Sequence, residues 1–184
     1  PMSEQIEFVK EIARRLDSAA IEYMFTGSIA MVFYATPRMT RDIDLVVQLQ
    51  PTDAQKLVEL FSADCYIDPV SVRRAIDHSG MFNIISNQLI LKADFIIRKS
   101  DEYRLLEFSR RQSIELGEQK IFLVAPEDLI LSKLVWGKDS DSELQLRDIR
   151  NMLNSVPDLD RDYLSYWANW LGTSAYLKKA MSNE

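Results

Sequence analysis

The chain has a single cysteine, Cys65, and a single histidine, His78. One thiol forms no internal disulfide, and such sparing use suits a reducing compartment. One Cys and one His are too few soft ligands for a structural zinc site, and nothing in the sequence joins them as a catalytic dyad. Beside Ser79-Gly80, His78 reads as a surface residue. Glycine is also scarce, at five residues. No stretch rich in Pro, Gly and Ser separates one part of the chain from another, which implies parts that pack together rather than swing. No unbroken apolar run approaches the roughly 18 residues of a membrane span. The segment SEQIEFVKEIARRLDSAA lacks the apolar core of a signal peptide, so a cytoplasmic location without membrane attachment is expected. Positive charge is in deficit, with 22 Lys and Arg against 28 Asp and Glu. A net charge of −6 gives no global field for nucleic acid. The pairs Arg73-Arg74, Arg110-Arg111 and Lys178-Lys179 read as solvated surface.

What remains is 184 residues with 47% hydrophobic content. That suits one domain, or one domain with a helical appendage, large enough to bury a core without staples. Ile6, Phe8, Val9, Ile12, Ala13 and Leu16 recur at helical spacing, predicting a first helix over about 3–19. Tyr23 to Phe25 reads as a short strand ending at Gly27. Ser28 to Tyr34 reads as a helix with Ser28 at its N-cap, ended by Thr36-Pro37. Ile43 to Leu49 is a β-branched strand. Thr52 and Gln55 have the spacing of a capping box, opening a helix to about Phe61. A short helix or turn over 71–78 follows. Strands are expected at 81–85 and 89–97, then a hairpin of 112–116 with 120–124 about Gly117-Glu118. After Pro126 the pattern turns helical: PEDLILSKLVW, a helix opened by Ser140 and Glu143, and a last aromatic helix over about 160–181. The aromatics Tyr163, Tyr166, Trp167, Trp170 and Tyr176 suit core packing or a dimer interface.

Asp42 and Asp44 stand out in this pattern. Residues i and i+2 of a strand share a face, about 6.6 Å apart, so both carboxylates face one way while Ile43 and Leu45 face the core. Two such carboxylates repel unless a cation compensates. Mg²⁺ prefers carboxylate oxygens and keeps substrate phosphates among its ligands. In 89-LILKADFII-97, Asp94 is the only acid. If that strand neighbours the first, three carboxylates converge, enough for two ions roughly 3.5–4 Å apart. Asp64, Asp68 and Asp77 are rival third ligands in loop-like positions. Gly27 permits a tight strand-to-helix turn, and Ser28 at a helix start offers a phosphate site. Each feature alone has a plain structural account: an ordinary cap, a charged sheet edge, an exposed strand position.

Together, Gly27-Ser28, a helix, Asp42-Ile43-Asp44 and a later Asp94 resemble the DNA polymerase β-like nucleotidyltransferase superfamily. More narrowly, GSIAMVFYATPRMTRDIDLVV looks like the small bacterial branch that includes AbiEii-type toxin nucleotidyltransferases. The segment 125-APEDLILSKLVWGKDSDSELQLRDIRNML-153 is similar to that branch too. The resemblance implies an α/β (α+β) fold, with a small mixed twisted sheet flanked by helices and a helical C-terminal part. Residues 1–125 would be the catalytic core, and 126–184 would pack on it.

The implied activity is metal-dependent transfer of a nucleoside monophosphate from an NTP to an acceptor hydroxyl, releasing pyrophosphate, in a toxin-type setting. Asp42, Asp44 and Asp94 would be catalytic and hold two Mg²⁺ ions. Gly27, Ser28, Lys133 and Arg41 would bind the nucleotide, with Arg38 and Thr40 nearby. The alternative for Lys133 is a solvent-facing helix position. The acceptor stays open: a tRNA end, a protein or a small molecule such as an aminoglycoside. An antitoxin or a second copy are the implied protein partners. Two other readings stand beside this one. One is an inactive nucleotide- or partner-binding module of the same fold. The other is a glycosyltransferase, since Asp-x-Asp also binds metal with sugar nucleotides; that reading calls for a larger domain.

Overall fold

The computed structural model describes residues 2–36, 38 and 40–182. Their elements, in chain order, are α1 (Met2–Ser18), β1 (Tyr23–Thr26), α2 (Gly27–Met31), β2 (Asp42–Val47), α3 (Ala54–Phe61), β3 (Cys65–Tyr66), α4 (Pro69–His78), β4 (Met81–Ser86) and β5 (Lys92–Ile97). They continue with α5 (Glu102–Ser109), β6 (Gln112–Leu116), β7 (Gln119–Leu123), α6 (Pro126–Lys138), α7 (Glu143–Ser155), α8 (Arg161–Trp170) and α9 (Ser174–Met181).

The seven strands form one mixed sheet in the order β3-β4-β5-β2-β1-β7-β6. β2 lies at its centre, antiparallel to β1 and parallel to β5. Alternation along β2 buries Ile43, Leu45 and Val47 completely and leaves Asp42 exposed and Asp44 and Val46 half-buried. The buried face is closed by aromatic packing: Phe95 of β5 meets Phe61 of α3 edge-on at 5.7 Å and stacks on Phe82 of β4 at 5.1 Å. The opposite face, carrying Asp44 and Asp94, is where the chemistry-bearing groups collect.

α6 is buried on nearly all sides, including Leu129, Ile130, Leu131 and Leu134. A helix buried all round must answer its polar groups internally. Asp128 accepts hydrogen bonds from the hydroxyls of Tyr103 at 3.1 Å and Tyr163 at 2.6 Å, and from Arg110 Nε at 3.0 Å. This knot ties α5, α6 and α8 together.

Several local expectations are corrected. Thr26, not Ser28, stands at the N-cap of α2, because Gly27 takes φ +64 and turns the chain one residue earlier. That helix ends at Met31, and Pro37, expected to end it, lies outside the described residues. The capping box before α3 is made by Gln50 and Asp53, not Thr52 and Gln55. α7 is capped by Ser142; Ser140 instead donates back to the carbonyls of Trp136 and Gly137. The expected last helix is two, α8 and α9, parted where Gly172 takes φ +69. β5 starts at Lys92 rather than Leu89, since Ile90 takes φ +52 in the turn. The helix α5 and the short strand β3 were not anticipated.

Candidate active site

The sheet register brings the acids together. Asp44 on β2 is opposite Asp94 on β5 and opposite Thr26 on β1, while Asp42 is opposite Lys92. The strand that follows β4 is thus the right neighbour for the Asp-x-Asp strand. Asp64, Asp68 and Asp77 are engaged elsewhere or set apart from this register. Asp64 is bonded bidentately by Arg15, and Asp68 caps α4.

Burial and like charge act together on Asp44. Desolvation, then the neighbouring Asp94 and Asp42, push its carboxyl up to about 6, against weaker pull from Lys92 and Lys133. Asp94 is buried, and its Oδ1 has no hydrogen-bond partner. Its Oδ2 lies 3.2 Å from Lys92 Nζ, which also stands 3.5 Å from Asp42 Oδ1. The lysine ammonium therefore bridges two of the three carboxylates. Among the described residues, no group of three or more His, Cys, Asp or Glu side chains is set out as a metal cage. Even so, an all-oxygen donor set, an orphaned buried carboxylate oxygen and a carboxyl under like-charge pressure are the features a hard divalent cation relieves.

Gly27 lies against this group. A Cβ there would run into Asp44 Oδ2, and its φ of +64 disfavours any side chain. The backbone thereby comes close to the carboxylates at the turn from β1 into α2. Ser28, the next residue, accepts a hydrogen bond at its Oγ from Arg38 Nη2 at 2.8 Å. Arg38 in turn lies 3.2 Å from Asp148, and Asp148 accepts from Lys133 Nζ at 2.8 Å. Ser28, Arg38, Asp148 and Lys133 form a chain linking α2 and its following loop to α6 and α7.

Lys133 is 1% exposed, so the solvent-facing alternative for it falls. Burial lowers its pKa, and the ion pair with Asp148 opposes that shift. Arg41 is exposed next to Asp42 and makes no ion pair among the described residues. Arg38 is the arginine that reaches the Gly27-Ser28 turn.

No family model matches the chain, and no curated protein sequence matches it. Solved structures do. An antigenic nucleotidyltransferase-like protein from Paracoccidioides brasiliensis aligns over 95% of this chain and 90% of its own, at 19% identity and TM-score 0.60. A lincomycin-bound lincosamide antibiotic adenylyltransferase aligns over 79% of this chain and 94% of its own, at 12% identity and TM-score 0.53. The fold is a nucleotidyltransferase fold. ANT(2″)-Ia in complex with adenylyl-2″-tobramycin shares it over 94% of this chain and 99% of its own, at 13% identity and TM-score 0.55.

Within this nucleotidyltransferase fold, three groups escaped the sequence reading. Asp148 sits within the 125–153 segment, but its contact with Lys133 spans two helices and leaves no periodic trace. Arg38 is expected near the phosphates, but its contacts with Ser28 and Asp148 leave no mark in the sequence. Lys92 is legible through alternation, two residues before Asp94 on the same face, once the strand is placed.

Proposed function

We propose that this chain is a nucleotidyltransferase that moves a nucleoside monophosphate from an NTP to an acceptor hydroxyl. The observation that carries this reading is the register that sets Asp44 beside Asp94 at the Gly27-Ser28 turn. Asp42, Asp44 and Asp94 would hold divalent cation, Mg²⁺ by the hardness of the donors, which when bound neutralises the triphosphate and polarises the attacked phosphorus. The Gly27-Ser28 backbone, with Arg38 and Lys133 behind it, receives the phosphates; Arg41 at the rim adds charge. The acceptor hydroxyl loses its proton to Asp94, which would share that role with holding the cation. The new bond forms from acceptor oxygen to the α-phosphorus. The bond from that phosphorus to the bridging oxygen breaks, and pyrophosphate leaves. Residues 1–125 supply the acids and the turn; 126–184 supply Lys133 and Asp148. The motifs at 27–47 and 125–153 support an AbiEii-like setting with an antitoxin partner.

Labelled NTPs incubated with the chain, Mg²⁺ and a cell extract test this. Label should move to one fraction with release of pyrophosphate, and Asp42→Ala should stop it with the fold kept. Undiminished transfer by that variant would remove Asp42 from the site.

One observation favours a second reading. Lys92 already occupies the space between Asp42 and Asp94, as a resident cation would in a module that binds nucleotide without turnover. NTP binding with no pyrophosphate release in any extract is its signature.

A further inference from the structure

The carboxylate face of the sheet continues into a cavity of about 110 Å³, lined among others by Thr26, Val46, Ile96, Arg98, Arg104 and Trp136. Val46 and Ile96 are two residues beyond Asp44 and Asp94 on their strands, so they point to the same face one step further along. Thr26 is the strand partner of Asp44. The cavity therefore lies on the carboxylate face, one strand step beyond Asp44 and Asp94, with Thr26 as the shared wall.

Its charges are unevenly answered. Arg104 donates to Glu107 and to Ser132 Oγ at 2.9 Å, and Ser132 donates to Glu107 Oε2 at 2.8 Å. That trio is closed. Arg98 is not: Nη1 donates to the neutral Gln48 amide oxygen at 3.1 Å, and Nε is buried without any hydrogen-bond partner. Among the described residues no carboxylate pairs with Arg98, and none pairs with Lys99, which also lines the cavity. A buried guanidinium N–H with no acceptor is costly and uncommon unless a ligand supplies one. Trp136, 39% exposed and one helical turn after Ser132, adds a flat aromatic wall. Indole alone would also take an amine; Lys99 and Arg98, whose guanidinium has the Phe108 ring at 5.5 Å but no carboxylate, decide the sign.

We propose that this cavity is the acceptor subsite and that it takes a planar, anionic acceptor, a ring bearing a phosphate or carboxylate group, rather than an amine-rich one such as an aminoglycoside. The assignment of the cavity as an acceptor site rests on the nucleotidyltransferase reading; its preference for a flat anion does not. Arg98 donates to the anionic group, Trp136 packs on the ring, and the acceptor hydroxyl lies towards Asp94.

Calorimetric titration without NTP, using phenyl phosphate, inorganic phosphate and benzylamine as probes, tests the cavity directly. Phenyl phosphate should bind the unsubstituted chain more tightly than either other probe. Arg98→Gln should weaken it at least about tenfold, or about 1.4 kcal/mol, while Arg98→Lys retains most binding. Trp136→Ala should weaken phenyl phosphate and leave inorganic phosphate unchanged, and thermal melts report whether each variant folds. No binding of phenyl phosphate, equal or tighter binding of benzylamine, or binding untouched by Arg98→Gln in a folded variant would overturn the proposal. An anion held at Ser28 would give the last result. Because no nucleotide is present, a chain that transfers nothing can still pass or fail this test.

Discussion

Asp44 carries a conflict at the scale of one side chain. Its carboxyl sits near pH 6 in the folded chain against an ordinary value near 3.8. Between those values the folded chain keeps a proton that the unfolded chain has released, so stability falls as pH rises through this window and is level above it. Two units at about 1.4 kcal/mol each bound the loss at roughly 3 kcal/mol. Asp44→Asn should therefore abolish transfer yet raise stability by about 1–3 kcal/mol at neutral pH, a trade familiar at functional sites. Urea midpoints of both chains from about pH 4 to pH 7 check it: the gap should open with rising pH and then stay constant. A gap that closes with rising pH would mean that Asp44 is held by a partner charge rather than pressed by its neighbours. Lys133 behaves oppositely. It is buried against Asp148 at 2.8 Å, and Lys133→Met would leave that carboxylate to Arg38 alone. Breaking a buried pair costs about 3–5 kcal/mol. With Arg38 still 3.2 Å away, a loss near the lower end is expected in the same urea measurement.

At the scale of elements, the turn from β1 into α2 is the tightest constraint. Gly27→Ala places a methyl against Asp44 Oδ2 at φ +64. Strain at a left-handed position costs about 1–2 kcal/mol, and displacing Asp44 from its place beside Asp94 should reduce transfer far more than it reduces the melting temperature. A steady-state assay beside a thermal melt separates the two. This turn was readable from Gly27-Ser28, and β2 was readable because Asp-Ile-Asp-Leu alternates polar with apolar before the β-branched Val46-Val47. Elements whose burial depends on distant partners were not. α5 runs through Glu102-Tyr103-Arg104-Leu105-Leu106-Glu107, where charged residues interrupt the apolar period; its buried Glu107 is satisfied by Arg104 within the helix and by Ser132 from α6. Lys133 looks like any surface lysine until α7 delivers Asp148. The break between α8 and α9 lies at Gly172-Thr173, where Thr173 Oγ1 donates to the Ala168 carbonyl and ends a run whose aromatics otherwise read as continuous. Elements and acids set by a local period were legible, and partners delivered by another helix, as Asp148 is to Lys133, were not.

At the scale of the whole molecule, the site draws on both ends of the sequence. Asp42, Asp44 and Asp94 lie before residue 125, whereas Lys133 and Asp148 lie after it, joined to Ser28 only through Arg38. The core follows the same pattern. Leu129, Ile130, Leu131, Leu134, Leu146, Ile149 and Met152 are all fully buried in one cluster with Phe25, Leu45 and Leu123. At about 1.5–3 kcal/mol per buried side chain, the C-terminal helices contribute on the order of 10 kcal/mol or more. That matches the entire net stability of a typical domain, about 5–15 kcal/mol. A fragment of residues 1–125 should therefore lack fixed tertiary structure: weak near-ultraviolet dichroism, binding of a hydrophobic dye and no cooperative melt. A cooperative melt from that fragment would make 126–184 an independent appendage. Loss of it would mean that residues 1–125, with the three acids, Lys92 and Arg38, and residues 126–184, with Lys133 and Asp148, share a core that neither part completes by itself.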